Sequence, residues 1–220
     1  MDKVVIFGNQ SVAREAFYYL KYDSDHEITG FTVDREFLHD DHFLDLPVVP
    51  FDAVVSVFPP HEHKMIIAVG YINNNKIRKD RYFQAIRMGY QLLSFISPKS
   101  VVYPGTLQGK NCIIGHCTVI SNGTQIGNNV IIGSGCTIGH DVILEDHCFL
   151  SNGVSISGRV RIGECCYLGT NAILRNKITV GKECVIGAGA ILLENAEDRS
   201  VYLGQPATLL PIPSDKLPLG

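Results

Sequence analysis

A histidine followed directly by an aspartate, His140-Asp141, is the pair with the clearest chemical potential in this chain of 220 residues. An imidazole gains and loses a proton near neutral pH, and a neighbouring carboxylate can hold its tautomer and raise its basicity. The pair follows Gly139, so we expect the imidazole to project outward from a turn. We predict that His140 is a general base and that Asp141 supports it.

A second set of candidate residues lies where predicted strands end in the front part of the chain. Gly8-Asn9-Gln10 follows the first strand and opens a helix, whose backbone N–H groups can receive a phosphate. Asp34 ends the second strand and Gly70 ends the third. Because the carboxyl ends of parallel strands share one edge of a sheet, we expect these residues to form one binding site. The loop lacks the GxGxxG pattern, which argues against a dinucleotide cofactor.

The elements that position this second set alternate between strand and helix over residues 1–97. Apolar runs rich in β-branched and aromatic residues predict strands over 3–7, 27–33, 65–69 and 92–96. The amphipathic pattern predicts helices over 11–22 and 75–88, and a short helix over 51–58 is expected to stop at Pro59-Pro60. This alternation predicts a small α/β domain with a Rossmann-like parallel sheet.

The rest of the chain repeats with a period of six residues from Val102 onward. Over sixteen hexads the first position is aliphatic in all except Gln108, the second is glycine in nine, and the fifth is mostly small or β-branched. A residue every six points inward if each hexad forms one flat face of a prism, and the glycine is expected to relax φ at the turn. Three faces complete a coil, so residues eighteen apart stack in columns. The pattern predicts a parallel β-helix of about five coils.

The stacking leaves room for a ligand beside His140, because the other members of its column are polar or bare: Asn122, Gly158 and Asn176. Two further histidines are weaker candidates. His116 falls in a different column, and His147 is expected to cap the outer surface. Five of the seven cysteines fall at the fifth position of a hexad, where a thiol serves as a small apolar filler.

Composition and charge exclude several classes of protein. The chain carries 19 basic and 22 acidic residues, a net charge of −3, which argues against a nucleic-acid partner. No apolar run reaches the roughly 18 residues of a membrane span, and the N-terminus has no signal-peptide pattern. Seven cysteines without a CxxC pair favour neither disulfides nor a zinc site. We expect a cytoplasmic protein without nucleic-acid or membrane partners.

The hexad pattern resembles the hexapeptide repeat of left-handed parallel β-helix acyltransferases, and the GQPA sequence at 204–207 is similar to the G-x-P-A motif that closes such helices. With the front domain and the His140-Asp141 pair, the chain resembles nucleotide-sugar acetyltransferases related to sialic acid O-acetyltransferase and to bacillosamine and perosamine N-acetyltransferases. The resemblance implies a nucleotide-sugar-binding α/β domain over 1–97. It also implies a left-handed β-helix acetyltransferase domain with a C-terminal tail over 98–220.

The resemblance assigns roles to individual residues as well. It implies acetyl-CoA as co-substrate and no metal ion, with Gly158 beside the thioester and main-chain contacts from Thr170 and Ala188 to the pantetheine arm. Phe149 stands where relatives commonly carry a second histidine at the thioester, and an apolar contact to the pantetheine arm is expected there instead. Asp34 matches an acid that binds uracil or ribose, and the other expected contacts to the nucleotide sugar are Gly8, Asn9, Gln10, Arg35 and Gly70. The resemblance further implies a homotrimer with active sites between subunits.

Several functions remain open on the sequence alone. The resemblance favours an acetyl-CoA-dependent N-acetyltransferase that acts on the amino group of a dTDP-, UDP- or GDP-linked sugar in polysaccharide biosynthesis. The same base chemistry would serve an O-acetyltransferase acting on a sugar hydroxyl, as in sialic acid O-acetylation. A non-catalytic trimer that binds nucleotide sugars is a third possibility. A zinc carbonic anhydrase also uses a β-helix, but this chain lacks the spacing of its histidine ligands.

Overall fold

The structure, a computed structural model of the chain, describes residues 1–209, 211–213 and 216. An α/β domain comes first and a parallel β-helix follows it. The remaining positions of the tail, 210, 214–215 and 217–220, belong to the predicted second domain and lie outside the described residues.

The α/β domain is built on one six-stranded sheet. Its elements, in chain order, are β1 (Lys3–Phe7), α1 (Ser11–Asp23), β2 (Glu27–Val33), β3 (His42–Phe43), β4 (Leu46–Pro50), α2 (Val54–Val57), β5 (His63–Ile67), α3 (Lys76–Arg87) and β6 (Gln91–Leu92), with 3-10 turns at Arg35–Phe37 and Phe51–Ala53. The strand order is β3-β4-β2-β1-β5-β6, and every neighbouring pair is parallel except β3 with β4. Within the described chain no helix has the length and apolar character needed to cross a bilayer.

The centre of this sheet is apolar because β1 is covered on both faces. Val4 and Ile6 belong to the same buried cluster as Leu20 of α1, whereas Val5 belongs to the cluster of Val54 in α2. A strand that is buried on both faces has a continuous apolar sequence. The bounds predicted for β1 and β2 are accordingly those observed.

Eighteen two-residue strands form the β-helix, and they lie in three sheets that we call faces A, B and C. Face A holds β7 (Phe95–Ile96), β10 (Ile113–Ile114), β13 (Ile131–Ile132), β16 (Phe149–Leu150), β19 (Tyr167–Leu168), β22 (Val185–Ile186) and β24 (Val201–Tyr202). Face B holds β8 (Val101–Val102), β11 (Val119–Ile120), β14 (Thr137–Ile138), β17 (Ser155–Ile156), β20 (Ile173–Leu174) and β23 (Ile191–Leu192). Face C holds β9 (Leu107–Gln108), β12 (Gln125–Ile126), β15 (Ile143–Leu144), β18 (Arg161–Ile162) and β21 (Thr179–Val180).

The pairing of these strands confirms the predicted period. Residues eighteen apart are parallel partners, as in the step from Thr137 to Ser155 and on to Ile173. The first and fifth positions of the hexads fill the interior, where Ile138 and Val142 are fully buried. The five cysteines at the fifth position are fully buried too, and all seven cysteines are free, which confirms their role as fillers.

The segment predicted as one strand over 92–96 is two strands in two different sheets. β6 pairs with β5 in the α/β domain, whereas β7 pairs with β10 and starts the β-helix. The chain therefore passes from one sheet to the other at 93–94. The β3–β4 pair was not expected from the sequence, because the two prolines of the LPVVP strand weaken the strand signal.

The glycines at the second position of the hexads are needed for the close stacking of the coils and not for a positive φ. Positive φ falls instead at the fourth position, for example at Asn129 and Asp141. A Cβ on Gly139 would stand 2.6 Å from the backbone nitrogen of Gly158 in the next coil. Glycine is required there because the coils stack so closely, and the prediction that it relaxes φ is wrong.

Candidate active site

His140 and Asp141 lie where the chain turns from face B to face C, at a corner that we call corner BC. Asp141 has left-handed backbone (φ 56°), and one of its carboxylate oxygens lies 2.8 Å from His140 Nδ1. A carboxylate can only accept a hydrogen bond, so Nδ1 carries a proton, and in the neutral ring the free lone pair is on Nε2. Both side chains are about half exposed, at 51% and 54%. The predicted pair therefore forms, with Nε2 as its basic atom.

Gly158, one coil further along the same corner, makes space for the imidazole. A Cβ on Gly158 would stand 2.7 Å from His140 Cδ2 and 2.9 Å from Cε1, and it would be closer still to Nε2. The ring thus lies against the bare backbone of Gly158, and any side chain there would displace it. Beside the ring is a depression of about 170 Å³, lined by His140, Gly158, Arg159, Asn176 and Lys177.

The backbone N–H of Gly158 is available to a ligand. In some other hexads the N–H at this position is taken, as in Ser134, which donates to Asn152 Oδ1 at 2.9 Å, whereas the N–H groups of Asn122 and His140 at corner BC have no acceptor among the described residues. Among the described residues we find no such acceptor for Gly158. A free N–H next to a histidine base is the arrangement that stabilises a developing oxyanion.

Thr170 and Ala188 stack one coil apart at the corner between faces A and B, which we call corner AB. Both are exposed, and the carbonyl oxygen of Thr170 accepts a hydrogen bond from Gly189 N at 2.9 Å. Face B separates this corner from His140. A single chain therefore does not bring the predicted coenzyme residues together with the predicted base.

Phe149 lies elsewhere, in the contact between the two domains. Its side chain points outward from face A, where the α/β domain packs, and the residue is only 9% exposed. The rings of Tyr71 and Tyr167 lie 5.3 and 5.9 Å from its ring, and the Arg78 guanidinium lies 5.9 Å away. The expected contact of Phe149 with the pantetheine arm has no support in this geometry, since the residue is covered by the chain's own aromatic side chains.

A polar ladder of Asn111, Asn129 and His147 joins the α/β domain to the third corner of the prism, corner CA. Asn111 donates to Asn129 Oδ1, and Asn129 donates to His147 Nδ1, both at 2.8 Å. Arg78 of α3 is fully buried against the ladder and donates to the carbonyl oxygens of Asn129, His147 and Cys148. Burial, reinforced by the Arg78 charge, lowers the pKa of His147 to about 4. His147 is thus a buried neutral acceptor and not the surface cap that the sequence suggested.

Five of the six predicted substrate residues meet at the carboxyl edge of the α/β sheet. They line one narrow cavity of about 100 Å³, together with apolar side chains such as Ile77: Gly8, Asn9, Gln10, Asp34 and Gly70. Gly8 has φ 124°, and a Cβ on it would stand 2.7 Å from the carbonyl oxygen of Ala68. Glycine is therefore required where the chain leaves β1 for α1.

The N-terminus of α1 borders this cavity. In the described helix, neither a side-chain cap from Gln10 nor an acidic residue in the first turn engages the N-terminal N–H groups. Such groups can donate to a phosphate. Asn9 closes the edge of the cavity by donating from Nδ2 to the carbonyl oxygen of Phe37 at 2.9 Å.

Asp34 and Arg35, adjacent in sequence, face different partners. Both Asp34 oxygens accept from Arg81 Nε, at 2.9 and 3.0 Å, so the carboxylate at the cavity edge is already paired. Arg35 donates to Asp52 at 2.6 Å and lines a second cavity, which Asp34 and Arg81 line as well. Of the six predicted substrate residues, Arg35 is thus the one that does not line the narrow cavity, although it shares the second cavity with Asp34. The structure adds Arg81 as the partner of Asp34, and sequence analysis missed it because nothing distinguishes it from the other charges of α3.

Comparison with known proteins identifies the repeat. Residues 123–158 and 159–193 match the family described as bacterial transferase hexapeptide (six repeats). No curated protein matches the chain by sequence. Among the described residues, no group of three or more His, Cys, Asp or Glu side chains is arranged so that it could hold a metal ion.

Solved structures match nearly the whole chain. A histidine-to-asparagine variant of perosamine N-acetyltransferase from Caulobacter crescentus, in complex with CoA and GDP-perosamine, has a TM-score of 0.85 and 24% identity over 94% of this chain and 96% of its own. The acetyltransferase domain of PglB from Neisseria gonorrhoeae, in complex with acetyl coenzyme A, has a TM-score of 0.81 and 25% identity over 94% and 98%. WeeI from Acinetobacter baumannii has a TM-score of 0.82 and 18% identity over 96% and 100%.

These matches confirm the predicted fold, an α/β domain followed by a left-handed parallel β-helix. They also confirm the predicted resemblance to hexapeptide-repeat sugar acetyltransferases, and with it the predicted class of enzyme, an acyltransferase.

Proposed function

We propose that the protein is a cytoplasmic, acetyl-CoA-dependent N-acetyltransferase that acts on the amino group of a nucleotide-linked sugar. The observation that carries the proposal is the His140–Asp141 pair, whose imidazole lies against Gly158 at an open depression. The similar PglB domain binds acetyl coenzyme A, and the similar perosamine enzyme binds CoA and GDP-perosamine, which supports these substrate classes here. Seven free cysteines suit a reducing compartment.

The geometry supports one order of proton transfers. His140 Nε2 accepts a proton from the amino group as the nitrogen attacks the thioester carbonyl, while Asp141 holds Nδ1–H and stabilises the imidazolium that forms. Gly158 N–H donates to the oxyanion of the tetrahedral intermediate. The C–S bond then breaks, the imidazolium returns the proton to the thiolate, and CoA and the N-acetyl sugar remain. Backbone groups of Thr170 and Ala188 hold the pantetheine arm.

A homotrimer with active sites between subunits is part of the proposal, because the base and the coenzyme residues flank face B. The outward residues of face B are uncharged: Val101, Val119, Thr137, Ser155, Ile173 and Ile191. Ile173 and Ile191 are 43% and 64% exposed in the single chain. Packing against another copy would cover this face and bring the base of one copy towards corner AB of the next. Light scattering should give three chain masses.

Thiol release from acetyl-CoA tests the reaction. The acceptors are UDP-, dTDP- and GDP-linked amino sugars, each paired with its hydroxyl analogue. We expect release with an amino sugar and not with its analogue. Release with the hydroxyl analogues would identify an O-acetyltransferase, and silence with every acceptor would favour a trimer that binds nucleotide sugars without catalysis.

His140→Ala tests the base. We expect kcat to fall by about 10²- to 10⁴-fold, the usual contribution of a general base, with the Kd for CoA measured by calorimetry largely unchanged. His61→Ala, which removes an exposed histidine of the α/β domain, is the matched control. Near-normal turnover in His140→Ala would remove His140 from this role.

A further inference from the structure

A second, larger cavity lies on the other side of α1, between that helix and corner AB. Its volume is about 610 Å³, within the range of small-molecule sites. We call it the tyrosine cleft; its walls include Arg14, Glu15, Tyr18, Tyr19, Tyr22 and His116. None of the roles considered so far uses these residues.

The narrow cavity at the carboxyl edge of the α/β sheet, which we call the nucleotide cavity, and the tyrosine cleft are lined by neighbouring residues at the N-terminus of α1. Gln10 lines the nucleotide cavity and Ser11, the next residue, lines the cleft. A diphosphate bound at the first turn of α1 would therefore have the nucleotide cavity on one side and the cleft on the other. Arg14, exposed one turn into the helix, adds a positive charge at the same junction.

The groups in the cleft suit a hexose with an amino group. Tyr18 and Tyr22 present parallel rings, 5° apart in orientation, and they are 43% and 70% exposed. Such rings offer flat apolar surfaces to the C–H faces of a sugar. The Tyr19 hydroxyl donates to Glu15 Oε1 at 2.6 Å and lies 3.0 Å from Ser134 Oγ, which fixes the carboxylate at the cleft wall. A fixed carboxylate can accept from an ammonium or hydroxyl of the sugar.

The positions of the cleft and of His140 along the axis of the β-helix agree with this placement of the sugar. Ser134 at corner AB and His140 at corner BC are successive corners of one coil, and Thr170 and Ala188 lie further along corner AB. Rotation about an axis parallel to the β-helix keeps each copy at the same height. In the proposed trimer the base of one subunit would thus stand level with the cleft of the next, below its coenzyme residues.

From these contacts we infer that the tyrosine cleft receives the hexose of the nucleotide sugar, and that Glu15, held by Tyr19, accepts a hydrogen bond from its amino group. The inference rests on the proposed function and names residues that bind its sugar. Calorimetric measurement of binding distinguishes a failure of the inference from a failure of the proposed function. The probes are GDP, UDP and dTDP, each compared with its amino-sugar conjugate, GDP-perosamine among them.

We expect the conjugate to bind wild-type protein at least about tenfold more tightly than its nucleoside diphosphate, because a hydrogen bond to a charged group contributes about that much to affinity. We call this ratio of Kd values the margin. Glu15→Gln should remove most of the margin, and Tyr19→Phe should reduce it, while both leave the Kd of the nucleoside diphosphate unchanged. Glu27→Gln at the start of β2 and Tyr103→Phe on the β-helix are matched controls, and they should keep the margin. Because Glu15 is exposed, Glu15→Gln should fold even if Tyr19→Phe does not.

A margin that survives Glu15→Gln, or that is absent in wild type, would overturn the inference even if acetyl transfer is observed. If no nucleoside diphosphate or conjugate binds and no acceptor is acetylated, the proposed function itself fails, and the inference fails with it.

Discussion

We predict that His147 makes the free energy of unfolding fall as the pH drops below about 6.5. The imidazole is 1% exposed and accepts a hydrogen bond from Asn129, and burial together with the Arg78 charge lowers its pKa from 6.5 to about 4. In the unfolded chain the same imidazole takes up a proton near its ordinary pKa. The unfolded state therefore binds more protons than the native state between these two values, and stability is lost as the pH falls through that window.

The width of the window sets the size of the effect. Each pH unit in which the unfolded state holds one extra proton lowers the free energy of unfolding by about 1.4 kcal/mol. The full interval from pH 6.5 to about 4 therefore lowers it by about 3 kcal/mol. Above pH 6.5, His147 does not make the free energy of unfolding depend on pH. Because small proteins are stable by about 5–15 kcal/mol, the loss is a sizeable share of the total.

His147→Asn tests this reasoning. Asparagine suits the left-handed backbone at this position (φ 64°), as Asn111 and Asn129 do in the same column, and it does not titrate. Denaturant unfolding at fixed protein concentration, from about pH 7.5 to about pH 4, should show wild type losing about 3 kcal/mol more than the variant. His61→Asn should keep the wild-type slope, since His61 is exposed. Parallel pH profiles for wild type and His147→Asn would refute the argument.

Two further substitutions test the packing around the candidate site. Gly158→Ala should lower kcat by at least about tenfold, because the new Cβ would push the His140 ring from its place. The free energy of unfolding should change little. Unchanged steady-state kinetics would contradict the described contact. Arg78→Met should lower the free energy of unfolding by at least about 2 kcal/mol, because buried carbonyl oxygens of Asn129 and His147 lose their donors. Denaturant titration measures this, and wild-type stability would show that the Arg78 hydrogen bonds are not needed.

The β-helix could be predicted from the sequence because its interior repeats. An aliphatic side chain at every sixth position, such as Ile138 and Leu144, has only one simple explanation, and the stacked pairs follow from it. The His140 column was predictable for the same reason, since eighteen residues return the chain to the same corner. The role of the glycines was not predictable, because a contact such as Gly139 with the nitrogen of Gly158 depends on the distance between coils.

The contact between the domains lay beyond sequence analysis for a physical reason. The period shows which residues point outward from the prism, but not which face another domain covers. Phe149 on face A and Ile173 on face B are both apolar and outward, yet only Phe149 is buried within the chain. The same limit applies to Arg78, which is one of several charges on α3 until a partner surface is known.

That contact matters for the proposed catalysis, because α3 both lines the nucleotide cavity and binds the β-helix. Ile77 lines the nucleotide cavity, and the adjacent Arg78 donates to carbonyl oxygens at corner CA of the β-helix. Apolar contacts alone would allow the two domains to shift relative to each other. Buried hydrogen bonds with fixed partners favour a single relative orientation of the domains. The proposed nucleotide site of the α/β domain is thereby held at a fixed distance from the corners of the β-helix. The proposed transfer of an acetyl group from a thioester to a sugar amine needs this rigidity, since small errors in position lower the rate by large factors.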